Sequence, residues 1–348
     1  QQELEDARIR RERTAKTLGN ISLWSSIIGL GLFILGLIQF RREKDKRQLD
    51  EYTGEQIPVE CSPAVAARLL GSTSSNVVFA TLLELQRRGY IAIEELAPPD
   101  ENSQAEDFKI SRLKDDEAGM LNHERKFMKW LFDDMGDGRS VKTNEIRELS
   151  KEKPTKYLTL YSSWSKAVKA DADEMGYYDK SKLPFGCIAL LLSASLFVLG
   201  IITLAYDNKI GLLSMFVSAL PFIYGLTLIS RLSDQGYMLY KKWKKFRSYM
   251  RNRLKETEDG EALAAYDISL IYALALGIVS TKEDIMPNEY ATSSTRSNWI
   301  FWYFIYSSGN NNAFHKSIDN SFGSSGGSGG GFSGGGGGGA GGGGAGGF

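Results

Sequence analysis

Three long runs without a charged residue limit what this chain can fold into. They cover residues 17–40, 183–206 and 210–230, with 24, 24 and 21 residues respectively. A helix needs about 20 mainly apolar residues to cross a hydrocarbon core of about 30 Å. Helices buried in water-soluble proteins rarely continue so far without a charge. The runs therefore predict an integral membrane protein with three transmembrane α-helices, at 18–40, 183–206 and 210–230.

The Lys and Arg residues that flank these runs predict the orientation. Sixteen lie on one side of the membrane, after the first run, before the second run and after the third run. Six lie on the other side, before the first run and between the second and third runs. Cytoplasmic flanks usually carry the excess of basic residues. We therefore expect a multi-pass protein of the plasma membrane with its N-terminus outside and its C-terminus in the cytoplasm. Five basic residues before the first run oppose this orientation, although four acidic residues dilute their charge.

Residues 57–182 have the sequence features of a folded domain. Ser62-Pro63 is typical of a helix start and Gly71 of a helix end. The predicted elements, in chain order, are helices at 62–71 and 76–89, a strand hairpin at 90–95 and 108–113, a helix at 121–135, a strand near Val141, and helices at 143–152 and 157–175. Helix, helix, hairpin is the order of a winged-helix module, and the later elements repeat it loosely. The sequence predicts a cytoplasmic α+β domain of tandem winged-helix-like type.

The charge of this domain argues against nucleic-acid binding. Residues 57–182 contain 19 basic and 22 acidic residues, whereas DNA-binding modules depend on several Lys or Arg contacts to phosphates. The predicted second helix offers only Arg87 and Arg88, at its C-terminal end, whereas base-reading residues usually lie nearer the N-terminal end. Structural or protein-binding use of the domain is therefore favoured. A membrane-tethered nucleic-acid-binding regulator is kept as the alternative.

The sequence contains no recognisable catalytic or metal-binding motif. His123-Glu124 begins like a zinc-protease motif, but Phe127 occupies the position of the second histidine, and His123 is interpreted as a solvated helix residue. Cys61 and Cys187 are too far apart in sequence to form a paired metal motif. We therefore expect a protein that is not an enzyme, with no catalytic residues, no cofactor and no metal site.

The segment after the third run predicts a basic helix. Residues 231–255 contain nine basic residues and one acidic residue, Asp234. Apolar residues recur on one side of the predicted helix, at Leu239, Trp243, Phe246, Met250 and Leu254. This pattern is typical of a helix that lies in the membrane interface with its apolar side down and favours anionic lipids. The predicted lipid-contacting residues are Lys241, Lys242, Trp243, Lys244, Lys245, Phe246, Arg247 and Arg251. Two alternatives remain: charges that only set topology, or an apolar side that packs on the soluble domain.

Three further segments of the C-terminal part are distinctive. Residues 262–280 are largely apolar but include Asp267, which favours a domain-packed or membrane-apposed helix over a fourth span. The aromatic residues 299–306 are too few to span a membrane and predict a strand or an interfacial patch. Residues 317–348 are rich in glycine and predict a disordered tail. In the first run, Ser22, Gly29 and Gly36 recur at intervals of seven, a pattern that permits close helix packing.

Several of these segments together resemble one bacterial family. The order is SPAVAARLL, ATLLELQRRGYIAIEE, HERKFMKWLF, a membrane hairpin, YDISLIYALALGI and a Gly-rich tail ending in AGGF. This order resembles the predicted membrane proteins of domain of unknown function 2207 (YciQ-like), in their C-terminal portion, over about residues 18–348. The resemblance implies a bacterial plasma-membrane location, a cytoplasmic middle domain and an exported N-terminal β-rich domain. It carries no catalytic residues.

These features predict a domain order and a function. The predicted segments are a juxtamembrane segment at 1–17, the first span at 18–40, a basic linker at 41–56, the cytoplasmic domain at 57–182, the hairpin spans at 183–206 and 210–230, a helical region at 231–298, an aromatic segment at 299–316 and the tail at 317–348. The chain begins at Gln1 without a signal segment, and we expect a further exported region before it. The expected function is a non-enzymatic, membrane-anchored interaction or signalling scaffold whose partners are the lipid bilayer and a protein. A transporter subunit is a weaker alternative, because three spans without polar lining form a poor pathway.

Overall fold

The structure, a computed structural model, describes residues 2–41, 47–72, 75–96, 107–256, 267–278 and 298–307. The described residues form two compact units. The first, the helical bundle, takes its residues from 1–44 and 178–234. The second, the α+β domain, takes its residues from 45–177 and 235–331, so that a membrane hairpin separates its two parts in sequence. The Gly-rich tail predicted at 317–348 lies outside the described residues.

The elements alternate between the two units. In chain order they are α1 (Gln2–Gln39), α2 (Arg47–Asp50), α3 (Pro63–Leu69), α4 (Ser75–Arg87), β1 (Ile91–Leu96), β2 (Asp107–Arg112), α5 (Asn122–Met128, continued by a π-helical turn over Lys129–Asp134), β3 (Ser140–Lys142), α6 (Thr143–Glu152), α7 (Pro154–Glu174), α8 (Leu183–Ala205, preceded by a 3-10 turn over Lys180–Lys182), α9 (Ile210–Ile229), α10 (Asp234–Glu256), α11 (Ile268–Ala275) and α12 (Trp299–Ser307). Helices α1, α8 and α9 form the bundle.

Three helices of the described chain are long and apolar enough to cross a membrane, as the three uncharged runs predicted. They are α1, α9, and α8 with its preceding turn. Helix α1 has 38 residues, which corresponds to a length of about 57 Å. The predicted juxtamembrane segment 1–17 is therefore not separate from the first span, because its described residues continue the same helix.

Glycine pairs bring α8 and α9 together at two levels. A Cβ atom added to Gly211 would lie 2.4 Å from the carbonyl oxygen of Gly200, and one added to Gly186 would lie 2.9 Å from that of Gly225. Between these levels, the Ser193 hydroxyl donates a hydrogen bond of 2.8 Å to the carbonyl oxygen of Ser218. Since small residues let helix backbones approach closely in a membrane, the glycines set the distance between the two helices of the hairpin.

The small residues of α1 form the seam with this hairpin, as their interval of seven predicted. The Ser22 and Ser26 hydroxyl oxygens lie 2.5 and 2.7 Å from that of Ser214 on α9. The Tyr224 hydroxyl donates a hydrogen bond of 3.0 Å to the carbonyl oxygen of Gly36. Leu196 of α8 packs against Gly29. Its Cδ1 atom would lie 2.8 Å from a Cβ atom added to Gly29. Hydroxyl hydrogen bonds and close contacts therefore hold α1 against both hairpin helices.

The glycine packing predicts a sharp contrast between two alanine substitutions. Gly211→Ala should destabilise the bundle by about 1–3 kcal/mol, because the added methyl group meets backbone atoms that cannot rotate away. Gly31→Ala should not destabilise it, because no atom of the described residues lies within 4 Å of the added Cβ. Thermal unfolding of the full chain in detergent, followed by circular dichroism, measures both. Equal melting temperatures for the two variants would contradict the close approach of α8 and α9.

Contacts at the two ends of the bundle define its arrangement. The Asn208 side-chain amide, in the turn between α8 and α9, donates a hydrogen bond of 2.8 Å to the carbonyl oxygen of Ala15 on α1. At the opposite end of the hairpin, the Asp179 backbone N–H donates a hydrogen bond of 2.8 Å to the carbonyl oxygen of Arg231. The hairpin turn therefore lies beside the N-terminal half of α1, and the two ends of the hairpin lie side by side.

In the α+β domain, the strands form one antiparallel sheet in the order β1-β2-β3. Ile93 pairs with Ile110, and Ile110 pairs with Val141, so that three buried side chains cross the centre of the sheet. The prediction of a second, separate winged-helix-like unit is therefore wrong, because β3 joins the sheet of the first hairpin. With only three residues, β3 is too short to form a sheet without β2.

Helices from beyond the membrane hairpin complete the core of this domain. All six residues from Leu270 to Ala275 of α11 are buried. The Tyr272 ring stacks on Trp243 of α10 at 5.1 Å, and its hydroxyl donates a hydrogen bond to the carbonyl oxygen of Cys61. The domain-packed interpretation of residues 262–280 therefore agrees with the structure over the described residues 267–278. The predicted domain boundary at 57–182 is too narrow, because α10 and α11 belong to the same core.

The aromatic segment also lies in this core. It forms helix α12, where Tyr306 stacks on Phe79 of α4 at 4.2 Å and donates a hydrogen bond of 2.8 Å to the Asn76 side chain. Trp302 packs edge-on against Phe108 of β2 at 5.7 Å. The predicted strand or interfacial patch at 299–306 is therefore wrong. A helix that is apolar on every side is stable when it is buried on every side.

Candidate functional site

Helix α10 carries the residues that the sequence predicted to contact lipid. Four residues separate it from the end of α9. The side chains of Leu239, Trp243, Phe246, Met250 and Leu254 are buried, and Trp243 and Phe246 are 0% exposed. The prediction that Trp243 and Phe246 contact lipid is therefore wrong. The same apolar periodicity suits a membrane or a protein core, and the core partner Tyr272 lies too far along the chain for the pattern to reveal it.

Two of the predicted basic residues are held within the domain. The Lys245 ammonium group donates hydrogen bonds to the carbonyl oxygens of Leu49, at 2.6 Å, and Tyr52, at 3.3 Å. The Lys242 ammonium group lies 5.9 Å from the centre of the Tyr52 ring. Both side chains thus lie on the flank of α10 that packs against the segment after α1. They stabilise this contact and do not remain available as a separate charged surface.

Five other basic residues lie on the opposite flank of α10. On a helix with 3.6 residues per turn, the positions of these side chains fall within about 120° of one another. We call this set the basic stripe; it consists of Lys241, Lys244, Arg247, Arg251 and Lys255. Neither acidic residue of α10, Asp234 or Glu256, falls in this sector. Among the described residues, no member of the stripe forms a salt bridge, and the cations of the stripe are therefore not neutralised there.

Arg247 is the member of the stripe whose charge is least well accommodated. Its Nε atom is buried and has no hydrogen-bond partner among the described residues. Burial lowers the pKa of the Arg247 guanidinium, and the positive charge of Arg251 lowers it further. A guanidinium group that lies beside a second one, with an unsatisfied donor, is electrostatically suited to an anion.

A buried network that the sequence did not predict joins three distant segments. The Ser62 hydroxyl oxygen lies 2.8 Å from His123 Nε2, and His123 Nδ1 lies 2.6 Å from the Asp171 carboxylate. The His123 backbone N–H also donates a hydrogen bond of 2.8 Å to Asp171. The interpretation of His123 as a solvated residue is wrong, because its side chain is 0% exposed. One signal was available: His123 and the buried Phe127 lie four residues apart, on the same face of α5.

The order serine, histidine, aspartate is that of a hydrolase triad, but the surroundings favour a structural role. The Ser62 hydroxyl caps α3 by accepting a hydrogen bond of 3.3 Å from the Ala64 N–H. Ser62 is only 7% exposed. A cavity of about 280 Å³ adjoins Asp171 and is lined by Arg125 and Glu174, but Ser62 does not line it. We interpret the network as a clamp that joins α3, α5 and α7.

The charge of Asp171 depends on this clamp. Burial raises the pKa of the Asp171 carboxyl group, but the hydrogen bonds from the His123 ring and backbone outweigh it. The net result is a pKa below the ordinary value. The ionised carboxylate is therefore the form that the folded domain stabilises.

Both arginines at the C-terminal end of the predicted second helix, which is α4 with the residue that follows it, are already paired. Arg87 binds Glu84 through two hydrogen bonds of 2.8 and 2.9 Å. Arg88 binds the buried Glu124 carboxylate, also at 2.8 and 2.9 Å. The Arg88 side chain also donates a hydrogen bond of 2.7 Å to the carbonyl oxygen of Gly119. These guanidinium groups hold the domain together, and using them on phosphates would require breaking these ion pairs.

The thiols and carboxylates of the described residues do not form a metal site or an activated thiol. No group of three or more His, Cys, Asp or Glu side chains in that part of the chain is placed to hold a metal ion. Burial raises the pKa of the Cys61 thiol to about 12, although a hydrogen bond from the Ala66 backbone lowers it somewhat. A thiol that stays protonated is a weak nucleophile.

Comparison with known proteins agrees with the discontinuous domain. The family model described as "Predicted membrane protein (DUF2207) C-terminal domain" matches residues 50–281. This range includes the α+β elements before the hairpin, the hairpin itself, and α10 and α11 after it. No curated protein and no solved structure matches the chain. The chain belongs to the DUF2207 family of predicted membrane proteins, of which residues 50–281 are the C-terminal domain.

Proposed function

We propose that the protein is a non-enzymatic, membrane-anchored scaffold of the bacterial plasma membrane, whose α+β domain binds a protein partner in the cytoplasm. The observation that carries the proposal is the path of the chain. The chain enters the α+β domain after α1, leaves it to form α8 and α9, and enters it again after α9. Three connections to the membrane suit a domain that works as a fixed platform, because a single flexible tether would suffice for simple attachment.

The chain path also supports one topology. Both ends of the hairpin continue into the same domain, and Asp179 and Arg231 lie side by side. These two ends therefore belong on one side of the membrane. The turn at Asn208 contacts α1 at Ala15, which favours the opposite side for the N-terminal half of α1. The excess of Lys and Arg around the α+β domain favours the cytoplasm for that domain.

Helix α1 gives the scaffold a route for coupling across the membrane. Its length of about 57 Å exceeds the hydrocarbon core of about 30 Å. A continuous helix connects the charged segment before the first span directly to the bundle. In this proposal the charged N-terminal half of α1 lies outside the membrane, and α1 carries its displacement to the α+β domain. The pairing of Arg87 and Arg88 with carboxylates supports a protein partner over a nucleic acid.

Reporter fusions test the topology. Reporters placed after Ser103 and after Gly309 should show cytoplasmic activity, and one placed after Asn208 should show extracytoplasmic activity. A phosphatase that folds only outside and a fluorescent protein that folds only inside provide opposite readouts at each position. Extracytoplasmic activity after Gly309 alone would place a fourth span at 262–280 and contradict the domain-packed α11.

Site-specific photo-crosslinking in cells tests the scaffold. Leu113 and Leu158 are exposed apolar residues of the α+β domain, and Gly31 faces away from the bundle as a matched control. A crosslinking amino acid at Leu113 or Leu158 should give a discrete adduct with one identified protein, reproduced with that protein tagged. The same amino acid at Gly31 should not give it. Identical adduct patterns at all three positions would contradict a dedicated partner surface.

A further inference from the structure

We propose that the basic stripe of α10 binds the anionic headgroups of the bilayer to which the chain is anchored. This inference goes beyond the scaffold function and does not depend on the protein partner. The stripe consists of Lys241, Lys244, Arg247, Arg251 and Lys255, on the flank of α10 that does not pack against residues 49–56. The chemistry it recognises is a row of phosphate groups.

The positive charge of the stripe is not balanced by any described carboxylate. Residues three or four positions apart on a helix are neighbours, and like charges there destabilise the helix. Lys244, Arg247 and Arg251 follow each other at such intervals, as do Arg251 and Lys255. No described carboxylate forms a salt bridge with any of them, whereas Arg253 outside the stripe pairs with Glu256 at 3.8 Å. An anion bound along the stripe would remove this repulsion.

The guanidinium group of Arg247 has an unsatisfied hydrogen-bond donor. Arg247 Nε is buried without a hydrogen-bond partner among the described residues, and a buried donor without a partner is destabilising. Its neighbour Arg251 is exposed. A phosphate group has several acceptor oxygens and matches the planar fork of a guanidinium group. One headgroup between Arg247 and Arg251 would offer acceptors to both side chains.

The helix that carries the stripe is held in place by contacts that do not involve the stripe residues. The opposite side of α10 is fixed in the core by Trp243, which stacks on Tyr272, and by Phe246. Lys245 ties one flank to Leu49 and Tyr52. The helix therefore binds headgroups through its charges, and does not insert its apolar side as an interfacial helix would.

The connection to α9 identifies the occupant as the bilayer. Four residues separate the end of α9 from the start of α10, which leaves five Cα–Cα steps that can span at most about 18 Å. The start of α10 therefore stays near the end of the third span. The stripe then extends for about 21 Å from Lys241 to Lys255. Tyr237 and Tyr240 lie on the same flank, with the Lys241 ammonium group 5.4 Å from the centre of the Tyr237 ring. Aromatic residues followed by basic ones are typical of the headgroup region.

The test uses the full chain in detergent micelles that contain either phosphatidylglycerol or phosphatidylcholine. A ligand that binds the folded state raises its melting temperature. The stripe variant combines Lys244→Gln, Arg247→Gln and Arg251→Gln. The matched control combines Arg125→Gln, Lys126→Gln and Lys129→Gln, which removes the same charge from exposed positions of α5 and its continuation.

We expect phosphatidylglycerol to raise the melting temperature of the wild type and of the α5 control by several degrees above phosphatidylcholine. The stripe variant should lose most of this difference, and its apparent affinity for phosphatidylglycerol should fall at least tenfold. An equal response of the wild type to both lipids, or an undiminished response of the stripe variant, would overturn the proposal. So would an equal stabilisation by inorganic phosphate or by duplex DNA, which would assign the stripe to a free phosphate or to a nucleic acid.

A second measurement covers a stripe variant that fails to fold. In the wild type, raising the salt concentration from 50 to 500 mM should abolish the effect of phosphatidylglycerol, because salt screens exposed charges. The melting temperature in phosphatidylcholine should change little. A lipid effect that persists at high salt would contradict binding through the exposed cations.

Discussion

Trp243→Ala is expected to destabilise the α+β domain by about 3–5 kcal/mol, the usual cost of removing a buried tryptophan from a core. The Trp243 side chain is 0% exposed, stacks on Tyr272 at 5.1 Å and meets the Phe246 ring at 5.4 Å. Since domains are stable by about 5–15 kcal/mol, the variant should be partly unfolded or readily unfolded. Urea denaturation of the full chain in detergent, followed by circular dichroism, measures the loss.

Trp24→Ala is the matched control for this experiment. Trp24 lies on α1 with 64% of its surface exposed, and its replacement should change stability by less than about 1 kcal/mol. The comparison separates the two interpretations of the apolar side of α10. The free energies of unfolding of the two variants could instead be equal. Trp243 would then contact lipid or detergent, and the core assigned to α10 and α11 would be wrong.

His123→Ala is expected to cost about 3 kcal/mol, because it leaves the buried Asp171 carboxylate with only its backbone donor. The Ser62 hydroxyl loses its partner as well, although it still caps α3. Lys126→Ala on the same helix is the control, since Lys126 is exposed and outside the clamp. Ser62→Ala alone should cost about 1 kcal/mol, as the loss of a helix cap does. Urea denaturation at neutral pH gives all three values.

The clamp also predicts the sign of a pH effect. The folded state holds the pKa of Asp171 below its ordinary value. Its contribution to stability is therefore present above the unfolded pKa of about 4, and is lost as the pH falls through the lower folded value. The stability difference between the wild type and Asp171→Asn should shrink in this acid range. A difference that stays constant from pH 7 to pH 3 would show that the ionised carboxylate does not stabilise the clamp.

The membrane part of the fold was predictable because its signal is local. Each span is recognisable as an uncharged run that is long enough to cross the membrane. The interval of seven between Ser22, Gly29 and Gly36 indicated the side of α1 that packs against the hairpin. A residue can be recognised as small from the sequence alone, without knowing which residue it contacts. Only the continuation of α1 through its charged first half was missed, because charged residues suit a helix as well as a linker.

The α+β domain was predictable only in part because its core is assembled from distant segments. The elements from α3 to α7 were found by their periodicity and caps. The periodicity of α10 identified which side is apolar, but not whether lipid or Tyr272 covers it. For α12, eight consecutive apolar residues carried no period at all, which leaves strand and helix equally open. Ser62, His123 and Asp171 are 61 and 48 residues apart, and no local pattern joins them.

The most direct test of the discontinuous domain is a cleavage experiment on the full chain. A protease site is inserted between Glu256 and Asp267, and the N-terminus carries an affinity tag. After cleavage in detergent at neutral pH, the fragment with α11 and α12 should stay bound to the tagged fragment and elute only in denaturant. Adding Trp302→Ala, which removes a contact with Phe108 of β2, should release part of it. Elution of the unmodified fragment in native buffer would contradict the claim that segments on both sides of the membrane hairpin form one domain.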